Sequence, residues 1–174
     1  MMNKEDKYIE EYTSNNISKF WYLLNNSNDI SEKQKANIYF SNLKEKCNNY
    51  LDLSIELFNK SNSLQDKLIS SILIYQYIKE HYGYFIDNQI LYNNTKNFLI
   101  NNALISFTNI DIFNDKEISL IIEKICYSIS IILLLGCINY WQNGIEEILS
   151  LSKETINHIY LATIILGNCG EELP

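Results

Sequence analysis

Four cysteines and two histidines are the side chains in this sequence best suited to covalent or acid–base chemistry. A thiol becomes a nucleophile when a neighbouring imidazole accepts its proton, so a Cys–His pair would indicate a thiol-dependent enzyme. Cys169 stands in the string Gly-Asn-Cys-Gly-Glu near the C-terminus. Cys169 or another of the cysteines would be the nucleophile, with His158 or His81 as its base. His158 also follows Glu154 by four residues, so the two share a helix face. A carboxylate in this position could orient a catalytic imidazole, but the same spacing is typical of an ion pair on a helix surface. The thiol-dependent enzyme is therefore kept as one alternative function.

Motifs that hold metals or nucleotides are missing from the sequence. There is no His-Glu-x-x-His, no calcium loop, no phosphate-binding glycine loop and no Cys-x-x-Cys pair. We therefore expect no cofactor and no metal site. The first residues, MMNKEDKYIEEY, carry several charges and are not followed by the apolar stretch of a secretory signal. A cytoplasmic location with reduced thiols is the resulting expectation.

The chain is acidic, and its charge is unevenly distributed. Its 174 residues include 14 lysines, no arginine and 21 aspartates and glutamates, for a net charge of −7. Without guanidinium groups and with this charge, nucleic acid is not expected as a partner. Residues 117–174 alone hold two lysines and seven glutamates. We expect Glu146, Glu147 and Glu154 in this part to steer a basic protein partner, for example a toxin or an enzyme.

An aromatic segment is the second candidate binding feature. Residues 75–85 contain five tyrosine or phenylalanine side chains, distributed over two faces of a predicted helix. Tyr77, His81 and Tyr84 lie on one of these faces. Both faces cannot contact the same core, and exposed tyrosine is typical of protein interfaces. Tyr77, His81 and Tyr84 are therefore predicted to bind a partner.

Helical periodicity dominates the chain, with no alternating pattern long enough to predict a strand. Ser31-Glu32-Lys33-Gln34 fits a capping box. Asn114-Asp115-Lys116-Glu117 fits an N-cap with an acidic first turn, and the mostly apolar pattern after it predicts a long apolar helix. Glycines at positions 83 and 167 are predicted to end helices in the left-handed conformation. The predicted helices are one around 17–24, one from 31 to about 59, one from 63 to 83, one within 87–107, one at about 115–142, one at 145–151 and one at 152–166, with a loop at 109–115.

These elements predict an all-α, single-domain bundle of six to seven helices around the apolar helix at about 115–142. The domain would span residues 1–174, with flexible ends at 1–13 and 168–174. Residues 125–145 carry no charge over a length that could cross a bilayer. Seven of them are serine, glycine, asparagine or glutamine, and no lysine cluster flanks the segment, so a buried helix is expected rather than a membrane span.

The function predicted from these features is that of a non-enzymatic, acidic helical protein that masks or inhibits a protein partner, as an immunity or inhibitor protein does. Besides the thiol-dependent enzyme, a second alternative comes from residues 144–149. Gly-Ile-Glu-Glu-Ile-Leu at these positions resembles the start of the second helix of a tetratricopeptide unit. The resemblance implies stacked helix pairs that sense a peptide or small ligand in a groove.

Overall fold

Nearly all of the described backbone is helical. The computed structural model describes residues 11–107, 115–151, 153 and 155–171. The predicted all-α bundle is confirmed, although these residues form nine α-helices rather than six or seven and contain no strand. A π-helical segment, Phe98–Leu104, and a short 3₁₀ turn, Ile105–Phe107, follow the sixth helix. The α-helices are α1 (Ser14–Asn26), α2 (Ile30–Lys46), α3 (Tyr50–Lys60), α4 (Leu64–Glu80), α5 (Tyr82–Asp87), α6 (Gln89–Asn97), α7 (Lys116–Gly136), α8 (Gly144–Leu151) and α9 (Ile156–Glu171).

Helix starts follow the local chemistry of their capping side chains. The Thr13 hydroxyl accepts the N–H of Asn16 at the start of α1, and the Asp115 carboxylate accepts two N–H groups at the start of α7. The capping box predicted at 31–34 is wrong. Asp29 is the cap instead, because its carboxylate accepts the N–H of Ser31 at 2.7 Å and the helix begins one residue earlier.

The long helix predicted from 31 to 59 is also wrong, because the chain breaks it after Lys46. Residues 47–49 form a turn, in which the thiol of Cys47 donates to the side-chain oxygen of Asn49 at 3.1 Å. Asparagine side chains satisfy such local hydrogen bonds outside helices, which explains a break in an otherwise helical pattern. The break lets α2 pack on α1 while α3 packs on α4.

The apolar helix is the central element, as predicted, but it ends earlier. α7 packs against α4, α9 and the π-helical segment. It stops at Gly136 instead of 142, because Tyr140 and Trp141 both donate their N–H groups to the Gly136 carbonyl and wrap the chain back onto the bundle. Within the described residues, α7 is the one helix whose length and composition would suit a membrane span, and about half of its most apolar stretch (56%) is buried by protein.

Two hydrophobic clusters lie on either side of α4. Ile69 and Leu73 of α4 pack with the first three helices. Ile74 and Ile78 belong to the second cluster, which takes its other residues mainly from α3, α5, α6, the π-helical segment and α7 to α9. Tyr77 contacts both clusters. α4 therefore contributes buried residues to both clusters and separates them.

Neither glycine predicted to end a helix does so. α4 ends at Glu80 and Gly83 lies inside α5, while α9 begins at Ile156 instead of 152 and continues through Gly167 to Glu171. No glycine among the described residues has a positive φ, the geometry on which the prediction depended. The tail predicted from residue 168 is therefore helical as far as Glu171. Residues 1–10, 172–174 and most of the loop predicted at 109–115 lie outside the described part of the chain.

Candidate binding surface

Tyr77, His81 and Tyr84 are in direct contact, as their predicted shared face requires. The His81 ring stacks on Tyr77, with ring centres 4.4 Å apart and an interplanar angle of 20°. Tyr84 also stacks on the His81 ring, with ring centres 5.9 Å apart and an interplanar angle of 28°. Tyr50 of α3 meets Tyr77 and His81 edge-on. We call these four residues the aromatic corner.

The corner is built where α4 turns into α5. The N–H of His81 donates to the Tyr77 carbonyl at 2.9 Å, and the Nδ1 of His81 lies 3.1 Å from the same oxygen. One turn later the N–H of Tyr84 donates to the His81 carbonyl at 2.9 Å. Backbone and ring contacts thus hold Tyr84 in a defined direction before any partner arrives, which lowers the entropic cost of binding through it.

Carboxylates border the corner. The Tyr50 hydroxyl faces the Glu80 carboxylate, with 3.4 Å between the oxygens. Burial raises the pKa of Tyr50, and the charge of Glu80 raises it further. Burial likewise raises the pKa of Tyr77, with a smaller contribution from the charge of Asp52. Glu80 and Asp52, both exposed, therefore give the corner a negative potential that sequence analysis did not assign to it.

The exposure of the rings divides the corner into a base and a tip. Tyr50 is buried, and Tyr77 and His81 are partly buried. Tyr84 is 65% exposed, and its neighbour Tyr82 is 58% exposed. The exposed tip, Tyr84 and Tyr82, therefore presents aromatic rings to solvent, while the buried and partly buried rings beneath it form a rigid base. Aromatic side chains held in this way are typical anchors of protein interfaces.

A groove continues the surface from Glu80 towards α2. Its volume is about 450 Å³, and it lies along the C-terminal half of α2, with Glu80 at the end of α4 as its remaining lining residue. Its walls combine one aromatic ring with amide, hydroxyl and charged groups. The lining residues are Asn37, Phe40, Ser41, Lys44, Glu45 and Glu80.

The glutamates predicted to act with the corner belong to a different element. Glu146 and Glu147 lie exposed in the first turn of α8, which packs on α7 and α9, and Glu154 lies outside the described residues. Glu147 also has a structural contact that was not predicted, since its carboxylate accepts the indole N–H of Trp141 at 2.7 Å. The structure thus joins the aromatic residues with one another and leaves the glutamates of α8 as a separate group.

Three of the four thiols lie in surroundings that disfavour the thiolate. Burial raises the pKa of Cys47, Cys126 and Cys169. The Cys169 thiol lies 3.9 Å from the Ser130 carbonyl, whereas Nδ1 of His158 lies 2.8 Å from the Thr155 hydroxyl. A raised pKa leaves less thiolate at neutral pH, so these contacts give the thiol-dependent alternative no support.

In the part of the chain that the structure describes, no three His, Cys, Asp or Glu side chains lie close enough together to hold a metal ion. Comparisons with protein families, with curated proteins and with solved structures found no significant similarity to this chain. The geometry of the surface is therefore the basis for the function proposed below.

Proposed function

We propose that this chain is a non-enzymatic binding protein that masks a basic protein partner, in the manner of an immunity or inhibitor protein. The observation that carries the proposal is the aromatic corner: an exposed Tyr84 stacks on His81, which in turn stacks on Tyr77. Two carboxylates lie at the base of the corner, Glu80 next to Tyr50 and Asp52 near Tyr77. Exposed aromatic rings with carboxylates nearby are suited to the cationic groups of a partner.

The recognition chemistry follows from these groups. A lysine or arginine of the partner would lie over the Tyr84 ring, where the electron-rich face attracts a cation. Glu80 and Asp52 would then neutralise the same charge from the side. Each contact alone contributes little to the binding free energy. In typical interfaces, a few contacts clustered at an aromatic anchor account for most of the affinity.

Charge on the rest of the chain supports the same type of partner. The net charge of −7 raises the local concentration of cationic proteins and speeds their encounter. Glu146 lies exposed on α8 and contributes to this long-range field without needing to contact the corner. Association with the partner would take place in the cytoplasm, where the four cysteines remain reduced.

Capture from the cells in which the chain is expressed tests the proposal. The tagged chain, the Tyr84→Ala variant and the Glu80→Gln variant would each be incubated with lysate, and bound proteins identified by mass spectrometry. Tyr22→Ala is the matched control, because Tyr22 is 62% exposed but lies on α1. We expect a basic protein to be retained by the parent and the control and lost from the other two variants. Equal retention by all four would contradict the assignment of the corner.

A further inference from the structure

Two of the four cysteines contact the same stretch of α7. Cys137 is the first residue after α7, and Cys169 lies in the last turn of α9. The Cys137 thiol donates to the carbonyl of Leu134 at 3.2 Å. The Cys169 thiol donates to the carbonyl of Ser130 at 3.9 Å. Both sulfurs therefore lie against the backbone of α7, although Cys169 belongs to another helix.

The two carbonyl groups that hold these thiols lie on one side of α7. Residues 130 and 134 are four positions apart, so their carbonyls follow one another in the same row, about 6 Å apart at 1.5 Å per residue. α9 packs on this side, because the Ser130 hydroxyl also donates to the carbonyl of Ile165 at 2.8 Å. Burial raises the pKa of Cys169, and the charge of Cys137 raises it further, which agrees with the proximity of the two thiols.

The thiols differ in their access to solvent. Cys137 is exposed, whereas Cys169 is partly buried and packs against the hydrophobic cluster around α7. Cys47 is buried in the cluster of the first three helices. Cys126 is buried eleven residues before Cys137, about 16 Å along the helix axis. A disulfide requires Cα atoms within about 7 Å of one another, so Cys169 is the thiol suited to reach an oxidised Cys137.

We propose that Cys137 and Cys169 form a peroxide-responsive thiol pair, in which Cys137 is oxidised first and Cys169 then closes a disulfide within the chain. The Cys137 thiolate attacks one oxygen of hydrogen peroxide, the O–O bond breaks, and a sulfenic acid forms as hydroxide leaves. The Cys169 thiolate attacks that sulfur, so the S–S bond forms, the S–O bond breaks and a second hydroxide leaves. The protons of the two thiols convert both hydroxides into water.

Closing the bond requires a movement at two helix ends. Cys137 lies in the turn after α7 and Cys169 lies close to the end of α9, so the central turns of both helices can stay in place. The bond ties the end of α9 to the end of α7 and encloses α8 in a covalent loop. Cellular thiols reduce such a bond again, as expected of a transient cytosolic disulfide. Oxidation of the pair requires no partner, so this inference and the proposed function can fail independently.

Treatment of the reduced full chain with hydrogen peroxide, followed by counting of free thiols in denaturant, tests the pair. We expect the parent to lose two of its four thiols, with peptide mapping assigning the link to Cys137 and Cys169 of one chain. Cys137→Ser and Cys169→Ser should form no disulfide within the chain. Cys47→Ser is the matched control and should form the bond like the parent, because the serine hydroxyl can replace the thiol as a donor to Asn49.

Two further readouts test the order of oxidation and the geometry. Dimedone traps sulfenic acid, and it should label Cys137 about tenfold more in Cys169→Ser than in the parent, since no thiol remains to consume the intermediate. Oxidation should raise the midpoint of thermal unfolding of the parent by about 5 °C or more, because the covalent loop restricts the unfolded chain. The midpoint of Cys169→Ser should not rise.

Three results overturn the proposal. The first is a parent that keeps all four thiols, or that forms links only between chains. The second is equal dimedone labelling of Cys137 in the parent and in Cys169→Ser, which would show that Cys169 does not react with the intermediate. The third is a lower unfolding midpoint after oxidation, which would show that the bond forms only by disrupting the packing of α9 on α7.

Discussion

The side chain of Tyr92 occupies the space in which any residue other than glycine at position 136 would place its Cβ atom. The Tyr92 hydroxyl is buried and donates to the carbonyl of Ile132 at 2.8 Å, one turn before Gly136 on α7. Gly136 therefore serves a close approach between α6 and α7, not an unusual backbone angle. This contact fixes where the end of the central helix meets the segment that follows the aromatic corner.

Gly136→Ala is expected to destabilise the fold, because the new methyl group overlaps the ring and hydroxyl of Tyr92. Overpacking of this kind costs about 1–3 kcal/mol in the free energy of unfolding. Urea unfolding followed by circular dichroism measures the change. Gly167→Ala is the matched control, and its expected effect has the opposite sign, a gain of up to about 1 kcal/mol, because its Cβ meets open space within α9. Equal effects of the two substitutions would show that Tyr92 does not restrict position 136.

Glu147→Ala is expected to destabilise the fold by about 1–2 kcal/mol, since the indole N–H of buried Trp141 loses its acceptor. Glu147→Gln keeps an oxygen at that position and should cost less than half as much. Both replacements are good helix formers, so α8 itself is little affected. Thermal unfolding and the emission maximum of tryptophan fluorescence provide the measurement. Identical losses for alanine and glutamine would mean that the hydrogen bond contributes nothing.

The thiols are expected to react with iodoacetamide in an order set by burial. Cys137 is exposed and should be alkylated first, Cys169 and Cys47 slowly, and Cys126 only after unfolding. Burial raises the pKa of the last three, which lowers their thiolate fraction near neutral pH. Peptide mapping after timed alkylation at pH 7.5 gives the order. If Cys169 reacted faster than free cysteine, the thiol-dependent enzyme would become the better hypothesis.

Stability should begin to fall as the pH rises above about 8.5, the ordinary pKa of cysteine, because burial raises the folded-state pKa of Cys47, Cys126 and Cys169. It should fall further above about 10, the ordinary pKa of tyrosine. Burial raises the pKa of Tyr50 and Tyr92 in the folded state, so the unfolded chain loses these protons first. The stabilisation is therefore complete below the unfolded pKa and is lost above it, by about 1.4 kcal/mol per pH unit for each such group. Urea midpoints between pH 8 and 11.5 follow the loss. Midpoints that stay constant to pH 11.5 would contradict the burial of these hydroxyls.

The elements that sequence reasoning placed well are those with strong local signals. Asp115 caps α7, and a mostly apolar helix follows it. Ser63 precedes α4, and the predicted break before it is present as residues 61–63. These features depend on neighbouring residues alone, so composition and spacing were sufficient to predict them.

The misplaced boundaries depend on contacts that are distant or ambiguous in sequence. Glycine often ends a helix, yet Gly83 and Gly167 remain helical because nothing forces a positive φ there. The end of α7 depends on two N–H groups that converge on the Gly136 carbonyl, a fold-specific turn. Periodicity placed Tyr77, His81 and Tyr84 together, whereas the proximity of Asp52 comes from the packing of α3 on α4 and has no signal in the sequence near position 77.

The proposed masking of a basic partner through the aromatic corner is tested most directly by stopped-flow or surface association of the purified chain with the captured protein. We expect the association rate to fall about tenfold or more between about 20 and 500 mM salt, because screening removes the attraction to the acidic chain. Tyr84→Ala should dissociate about tenfold faster than the Tyr22→Ala control. An association rate that is flat with salt, together with equal dissociation of the two variants, would contradict the account.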